Sequence, residues 1–276
     1  MTELFQRRYA IRTFFCTHGG GNLHELCFVK SFTPLCNLKP KHNNIQIEIL
    51  LEGTTTAQLR FSQCGLQIQR CGSGTLAVSG LLHTLQTELN LNIDSLASCG
   101  ENYSLCQAKY WNSETLFGYK TKALPARPAI LQKEHLSFFN AKPQSLFQCG
   151  EQNDYWLFVF SPKDDLRKLQ AKAENICAHT QRAVIATQMG PDTGTYQLRY
   201  FAPQYGQLED GATGSANIVA GNFWMNQLGL NNIQGHQVSA DGGEFWLEKR
   251  TGNGFDSTTN ALSIFGRCRI EHLNVS

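Results

Sequence analysis

Two short stretches have the composition for gripping an anion. Cys71-Gly72-Ser73-Gly74-Thr75 and Asp210-Gly211-Ala212-Thr213-Gly214-Ser215 are each rich in glycine and hydroxyl groups, and each runs directly into a helical apolar pattern. A helix N-terminus presents unpaired N–H groups and roughly half a positive charge. It can hold a carboxylate or phosphate, and glycine lets the backbone come close to the ligand. It also stabilises negative charge developing on a carboxylate as its α-proton leaves. Gly72, Ser73, Gly74 and Thr75, with Thr213, Gly214 and Ser215, are therefore the candidate substrate-binding residues. The plain alternative is that these glycines only cap helices.

The elements that would position the two turns repeat along the chain. Leu59-Arg60-Phe61 precedes the first turn and Leu198-Arg199-Tyr200 the second, at an offset of 139 residues, which becomes 140 at Gly74-Thr75 against Gly214-Ser215. An offset of half the chain implies two similar domains, each with a strand, a glycine turn and a helix N-terminus. The two turns are expected to face one cleft and hold one anion from both sides. Strands are read at 9–16, 45–51, 57–62, 64–70, 156–160, 183–188, 196–202, 235–247 and 261–270, the second from the alternation of Ile45, Ile47, Ile49 and Leu51 with polar residues. Helices are read from Thr75 to about Asn90, where Leu76, Val78, Leu81, Leu82, Leu85 and Leu89 fall on one broad face, and from Ser215 to Leu228, ended by Gly229. Ser73 and Thr75 supply capping groups for the first, and Ser161-Pro162 reads as a further helix start. Residues 119–128, with Lys120, Lys122, Pro125, Arg127 and Pro128, mark a domain boundary, giving domains 1–120 and 121–276. Short strands in runs favour an antiparallel α+β fold over a Rossmann sheet.

Composition narrows the function classes. The chain has 276 residues, 41% apolar, with 24 basic and 22 acidic side chains and a net charge of +2. That excludes a disordered or collagen-like chain and gives no case for nucleic acid. The basic groups at Arg7-Arg8, Lys39 to Lys41 and Lys249-Arg250 read as solvated surface. No apolar run is long enough to span a bilayer. The first residues include Glu3, Arg7 and Arg8 without an apolar core, so no secretory signal is read and the cytoplasm is the expected location. The ten cysteines, at 16, 27, 36, 64, 71, 99, 106, 149, 177 and 268, form no Cys-x-x-Cys pair and read as reduced thiols. The histidines are scattered, His18 and His24 lying six apart, so no metal site is expected.

At the two turns the chain resembles the phenazine-biosynthesis PhzF-like family, of the diaminopimelate epimerase and proline racemase superfamily. Arg199-Tyr200-Phe201-Ala202-Pro203, Gly206, Glu209-Asp210 and Thr213-Gly214-Ser215-Ala216 are similar to that family's Arg-Tyr-Phe-x-Pro … Glu-Asp-Pro-x-Thr-Gly-Ser-Ala-His. Cys71-Gly72-Ser73-Gly74-Thr75 resembles its Cys-Gly-His-Ala-Thr, and Gly21-Asn22 its N-terminal Gly-Asn turn. The resemblance implies two pseudo-symmetric domains, each an antiparallel barrel-like sheet around a central helix, with the active site in the cleft between them. It also implies a homodimer and proton transfer on a small carboxylate-bearing substrate, with no cofactor. By the same resemblance Asp210 and Ser215 line the site. The family's acid/base Glu comes from a Ser-Glu-Thr segment that this chain lacks, and Glu48 is its best positional match. The family histidines are replaced by Ser73 and Asn217, and the Pro after Asp by Gly211.

The expectation is a cofactor-independent isomerase or epimerase using Glu48 and Asp210. The alternative is a metabolite-binding protein that kept the anion grip and lost the acid/base. A two-thiol racemase mechanism is disfavoured, because Cys71 has no cysteine opposite it at 210–212. Cys71 is expected to be buried and structural, and a one-thiol dehydratase is a third reading.

Overall fold

The computed structural model describes residues 2–17, 19–32, 34, 44–52, 55–111, 113–151, 154–249 and 261–272. The basic cluster at Lys39 to Lys41, Arg250, Cys36 and His18 lie outside them. The fold is α+β, with a closed barrel sheet and helices. Contacts divide the chain into two compact units: one holds Met1–Thr17, Gly21–Thr121 and Ser263–Ser276, the other His18–Gly20 and Lys122–Leu262.

The first unit contains β1 (Arg8–Thr13), β2 (Asn22–Val29), β3 (Ile45–Glu52), β4 (Thr56–Gln63), β5 (Leu66–Ile68), α1 (Gly72–Leu89), β6 (Ser95–Ser98), β7 (Glu101–Leu105), β8 (Lys109–Trp111) and β9 (Glu114–Lys122). β1 pairs antiparallel with β2, β2 parallel with β3, and β3 antiparallel with β4. β4 then pairs antiparallel with β5 and parallel with β6, which pairs antiparallel with β7. Alternation along β3 and β4 sends Ile47, Ile49, Leu59 and Phe61 to the interior, where all are buried.

The second unit contains β10 (Ala126–Ala129), α2 (Lys133–Leu136), β11 (Ser145–Cys149), β12 (Tyr155–Val159), α3 (Ala173–His179), β13 (Ala183–Met189), β14 (Thr195–Ala202), β15 (Gln207–Asp210), α4 (Gly214–Leu228), β16 (Asn232–Gln237) and β17 (Gly243–Lys249). From β11 onward its strands pair antiparallel, parallel, antiparallel, antiparallel, parallel and antiparallel, the same order of senses as from β1 to β7. A separate aromatic cluster of Phe138, Phe139, Phe158, Phe160 and Phe201 fills the space beneath α2 and α3. The last strand, β18 (Ala261–His272), belongs to the first unit from Ser263 onward and pairs with β1, Ile11 opposite Ile270. The second unit is therefore not the contiguous stretch 121–276 read from sequence.

Both long helices are more enclosed than a one-sided apolar face predicts. Residues 73–82 of α1 and 216–225 of α4 are buried around the whole helix circumference, as expected of a helix surrounded by sheet. Small residues make this possible: Ser73, Gly74, Ala77, Ser79 and Gly80 in α1, and Ala216, Ala220 and Gly221 in α4. α1 ends at Asn90 and α4 at Gly229, both left-handed. No α-helix starts at Ser161-Pro162. There the Asp164 carboxylate accepts from the Ser161 N–H and Asp165 caps a single 3-10 turn, Leu166–Lys168. These side chains hold the segment as turns rather than releasing it into a helix.

Candidate functional site

The turn before α1 is built by Cys71 rather than by Ser73 or Thr75. The Cys71 thiol accepts from the Gly74 N–H at 3.3 Å, and the Thr75 N–H and hydroxyl both donate to the Cys71 carbonyl, at 2.8 and 2.9 Å. Cys71 is buried, as the sequence led one to expect. Gly74 is dictated by contact: an added Cβ would stand 2.9 Å from Phe61 and 3.0 Å from both Ile47 and the Cys71 sulfur. Ser73 is left with long contacts only, 3.4 Å from the Asn22 amide and 3.7 Å from the Cys71 thiol. Asn22 gets its place from Gly21, whose φ is +74° and whose added Cβ would lie 2.3 Å from the Thr13 carbonyl.

Glu48 is not brought to this turn. Its neighbours Ile47 and Ile49 face the interior, and Ile47 touches the Gly74 position, so alternation turns Glu48 to the other face of β3. There it forms a buried ion pair with Arg60, directly opposite on β4, and Arg60 also stacks on Phe32 at 4.9 Å. Burial together with the nearby Glu48 pushes the Cys27 thiol upward against the opposing pull of Arg8 and Arg60. Among the described residues no hydrogen bond joins Glu48 to Ser73 or Thr75, and its carboxylate is paired with Arg60 on the opposite face of β3. The reason is the two-residue period of the strand.

The turn before α4 is joined to a continuous polar network. The Thr213 hydroxyl donates to Asp210 Oδ2 at 2.7 Å, and the Thr213 N–H donates to Gln237 Oε1 at 2.7 Å. The Gln237 amide donates to the Asp210 carbonyl at 2.5 Å. Asn217 Nδ2 donates to the Thr213 carbonyl at 3.0 Å and reaches Gln237 Oε1 at 3.3 Å, while its Oδ1 accepts from the Tyr196 hydroxyl at 2.8 Å. Burial raises the Tyr196 and Tyr200 phenols well above their usual range, so both are neutral beside this site. Tyr200 pairs with Asp210 across β14 and β15. Ser239 donates to the Gly211 carbonyl at 2.6 Å. Gly214 and Ser215 open α4, Gly214 buried and Ser215 half-buried.

Sequence reasoning missed Gln237, Tyr196, Asn217 as a network member, and Ser239. Tyr196 and Gln237 converge because β14 and β16 run parallel, with Tyr196 beside Gly235 and Leu198 beside Gln237, which brings distant residues onto one helix end. Gly235 was the available signal: a Cβ there would meet the Tyr196 hydroxyl at 2.4 Å and Asn217 Oδ1 at 2.8 Å. Arg199 of the second motif is structural. It makes a two-pronged pair with Glu209, at 2.7 and 2.6 Å, and holds the carbonyls of Leu166 and Leu169. Among the described residues no three His, Cys, Asp or Glu side chains gather as a metal site, and no helix is long and apolar enough to cross a membrane.

A family model for "Phenazine biosynthesis-like protein" matches residues 119–252. A phenazine biosynthesis-like domain-containing protein of human is 32% identical over 244 residues, 83% of this chain and 78% of that protein. An uncharacterized isomerase of Vibrio cholerae is 28% identical over 74% of this chain, and the match spans 66% of its own length. Among solved structures, a PhzF-family phenazine biosynthesis protein of Enterococcus faecalis aligns over 95% of both chains with a TM-score of 0.78 at 17% identity. A hydroxyproline epimerase of Agrobacterium vitis, with bound trans-4-hydroxy-L-proline, aligns over 98% of this chain and 93% of its own with a TM-score of 0.54 at 11% identity. The extent of the human match and the placement of Asp210, Thr213 and Gly214 at the start of a buried helix lead to one conclusion: this chain belongs to the phenazine biosynthesis-like, PhzF-like family, whose fold is shared with epimerases and racemases.

Proposed function

We propose that the protein is a cofactor-independent isomerase or epimerase that moves a proton on a small carboxylate-bearing metabolite. In this reading the α1 and α4 turns serve one ligand, and the two units are pseudo-symmetric versions of one another. Asp210 is the acid/base group. Its carboxylate takes the α-proton, and the C–H electron pair moves into the substrate carboxyl. Protonated Asp210 then returns the proton on the same face, at another carbon of the conjugated system; inversion at the α-carbon would need a second acid on the opposite face. The N–H groups of the helix start stabilise the transient enediolate charge. The observation that carries the reading is the Thr213 hydrogen bond to Asp210 Oδ2, inside a network that fixes the carboxylate at the first turn of α4. A positioned carboxylate of this kind is what general acid–base catalysis requires. Glu48, paired with Arg60 on the other face of β3, has a structural part in this proposal.

The test is deuterium incorporation into the α-position of a panel of small carboxylic acids in deuterated water. The wild type is expected to label at least one acid. Asp210→Asn should lower the exchange rate about 10²- to 10⁴-fold while retaining binding. A second reading, a metabolite-binding protein without catalysis, draws on the commitment of Glu48 to Arg60 and on Ser73 standing where the family carries an imidazole. Tight binding with no exchange for any bound acid would establish that second reading instead.

A further inference from the structure

His24 is the least explained polar side chain of the first unit. It lies on β2 with no exposed surface, and neither ring nitrogen has a hydrogen-bond partner. Buried polar groups are normally paired, and a leucine would fill the same place without the desolvation cost. Its position is specific. On the same face of β2, one step away, Asn22 reaches the Ser73 hydroxyl. One step the other way, Leu26 pairs with Ile47, which touches the Gly74 position. His24 is thus bracketed by the two contacts that support the first turn of α1. Across β1, Thr13 stands opposite Asn22, and its buried hydroxyl is also without a partner. No hydrogen bond reaches the N–H groups of Gly72 or Ser73 among the described residues.

We infer that His24 is a ligand-contacting residue of the α1 turn, its imidazole N–H donating to a carboxylate held by Ser73, Asn22 and the first amides of α1. The inference rests on the proposed carboxylate chemistry of that turn. Access comes through the half-buried Asn22, whose 3.4 Å contact with Ser73 is long enough to yield to a charged acceptor. Burial drives the free imidazole pKa down to about 3, so the ring meets the ligand neutral, with one nitrogen as donor. An anion beside it would raise that pKa, so binding takes up protons below neutral pH.

The experiment is NMR of the full chain labelled with 15N-histidine and on its backbone, titrated with sodium acetate against chloride at matched ionic strength. His24 is assigned by its loss in His24→Leu. The expected result is that the Ser73 and Gly74 amides and the His24 ring nitrogens shift with one common affinity. His24→Leu should weaken acetate binding about tenfold or more, since a hydrogen bond to a charged group is lost. His24→Gln, which keeps a donor, should recover part of it. If the turn amides respond and the His24 ring does not, or if His24→Leu binds as the wild type does, the inference is overturned while the carboxylate turn stands. If the turn amides do not respond at all, the proposed carboxylate site at α1 falls and the role of His24 falls with it. Should His24→Leu not fold, the wild-type ring shifts decide alone.

Discussion

The α1 and α4 turns start from similar sequences and are completed in different ways. At α4, Thr213, Asn217, Gln237 and Tyr196 bond to one another, and the network runs on to Asp210. At α1 the Cys71 thiol caps the helix, whereas the Thr213 hydroxyl at α4 makes no cap bond; Ser73 has only long contacts, and His24 and Thr13 keep buried polar atoms with no partner. The same device, glycines at the start of a helix enclosed by sheet, thus serves two ends. One turn is rigidly wired around a carboxylate. The other leaves donors uncommitted, which is what an incoming anion needs.

The largest effect expected on this contrast lies behind the α1 turn. Arg60→Leu should cost about 3–5 kcal/mol of unfolding free energy, because it removes the cation paired with the buried Glu48 carboxylate, while Glu48→Leu with Arg60→Leu should recover most of it. Chemical denaturation reads both. If Glu48 were a catalytic base, the double variant would be stable and inactive; an active double variant fixes the pair as structural.

Next comes the wiring at α4. Gln237→Leu leaves the Thr213 N–H, the Asp210 carbonyl and the Asn217 amide short of a partner, at a cost of at least about 2 kcal/mol. Ser73→Ala, the counterpart at α1, should be nearly neutral for stability. Equal losses at the two turns would break the comparison.

A graded effect, small near neutral pH, belongs to His24. Its folded pKa of about 3 lies below the ordinary 6.5, so between those values the unfolded chain binds a proton that the folded chain does not. Stability from this group is complete above 6.5 and falls as pH drops, by about 1.4 kcal/mol per unit. Removing the imidazole with His24→Leu should flatten that slope, and an unchanged pH profile would show the ring to be solvated.

The smallest effect is at the cap. Cys71→Ala should cost about 1 kcal/mol and leave exchange activity nearly intact, while Cys71→Ser should be almost silent. Rapid thiol labelling of Cys71, blocked by a carboxylate and coupled to loss of activity, would instead make the α1 turn a reactive centre.

The parts of this molecule legible in its sequence are those written locally. Alternation placed β3, and short apolar runs placed β4, β13 and β14, within a residue or two, while Asn90 and Gly229 marked both helix ends. The offset between the two Leu-Arg-aromatic triplets located both glycine turns. Non-local pairing was not legible. The face of Glu48 followed from alternation, but that Arg60 waited on that face depended on the β3–β4 register. Gln237 reaches Thr213 only through the parallel alignment of β14 and β16. His24 reads as an ordinary polar residue until its strand is found to turn it inward. The Ser161-Pro162 signal failed because two following aspartates offered the backbone a competing set of bonds.

One strand has a consequence for how the chain comes to be folded. β18 supplies the partner of β1 and the Arg267 side chain that grips Glu114, and Gly266 lets it pass against the Phe14 ring. During synthesis the ribosome therefore releases every residue of the second unit before the first can close. Until then β1 presents an unpaired edge and α1 an uncovered apolar side to the cell. Contacts spanning more than 250 residues, such as Ile11 to Ile270, make closure of the first unit the slow step. A nascent chain halted just short of β18 should hold a protease-resistant second unit attached to a first unit that is still cleaved.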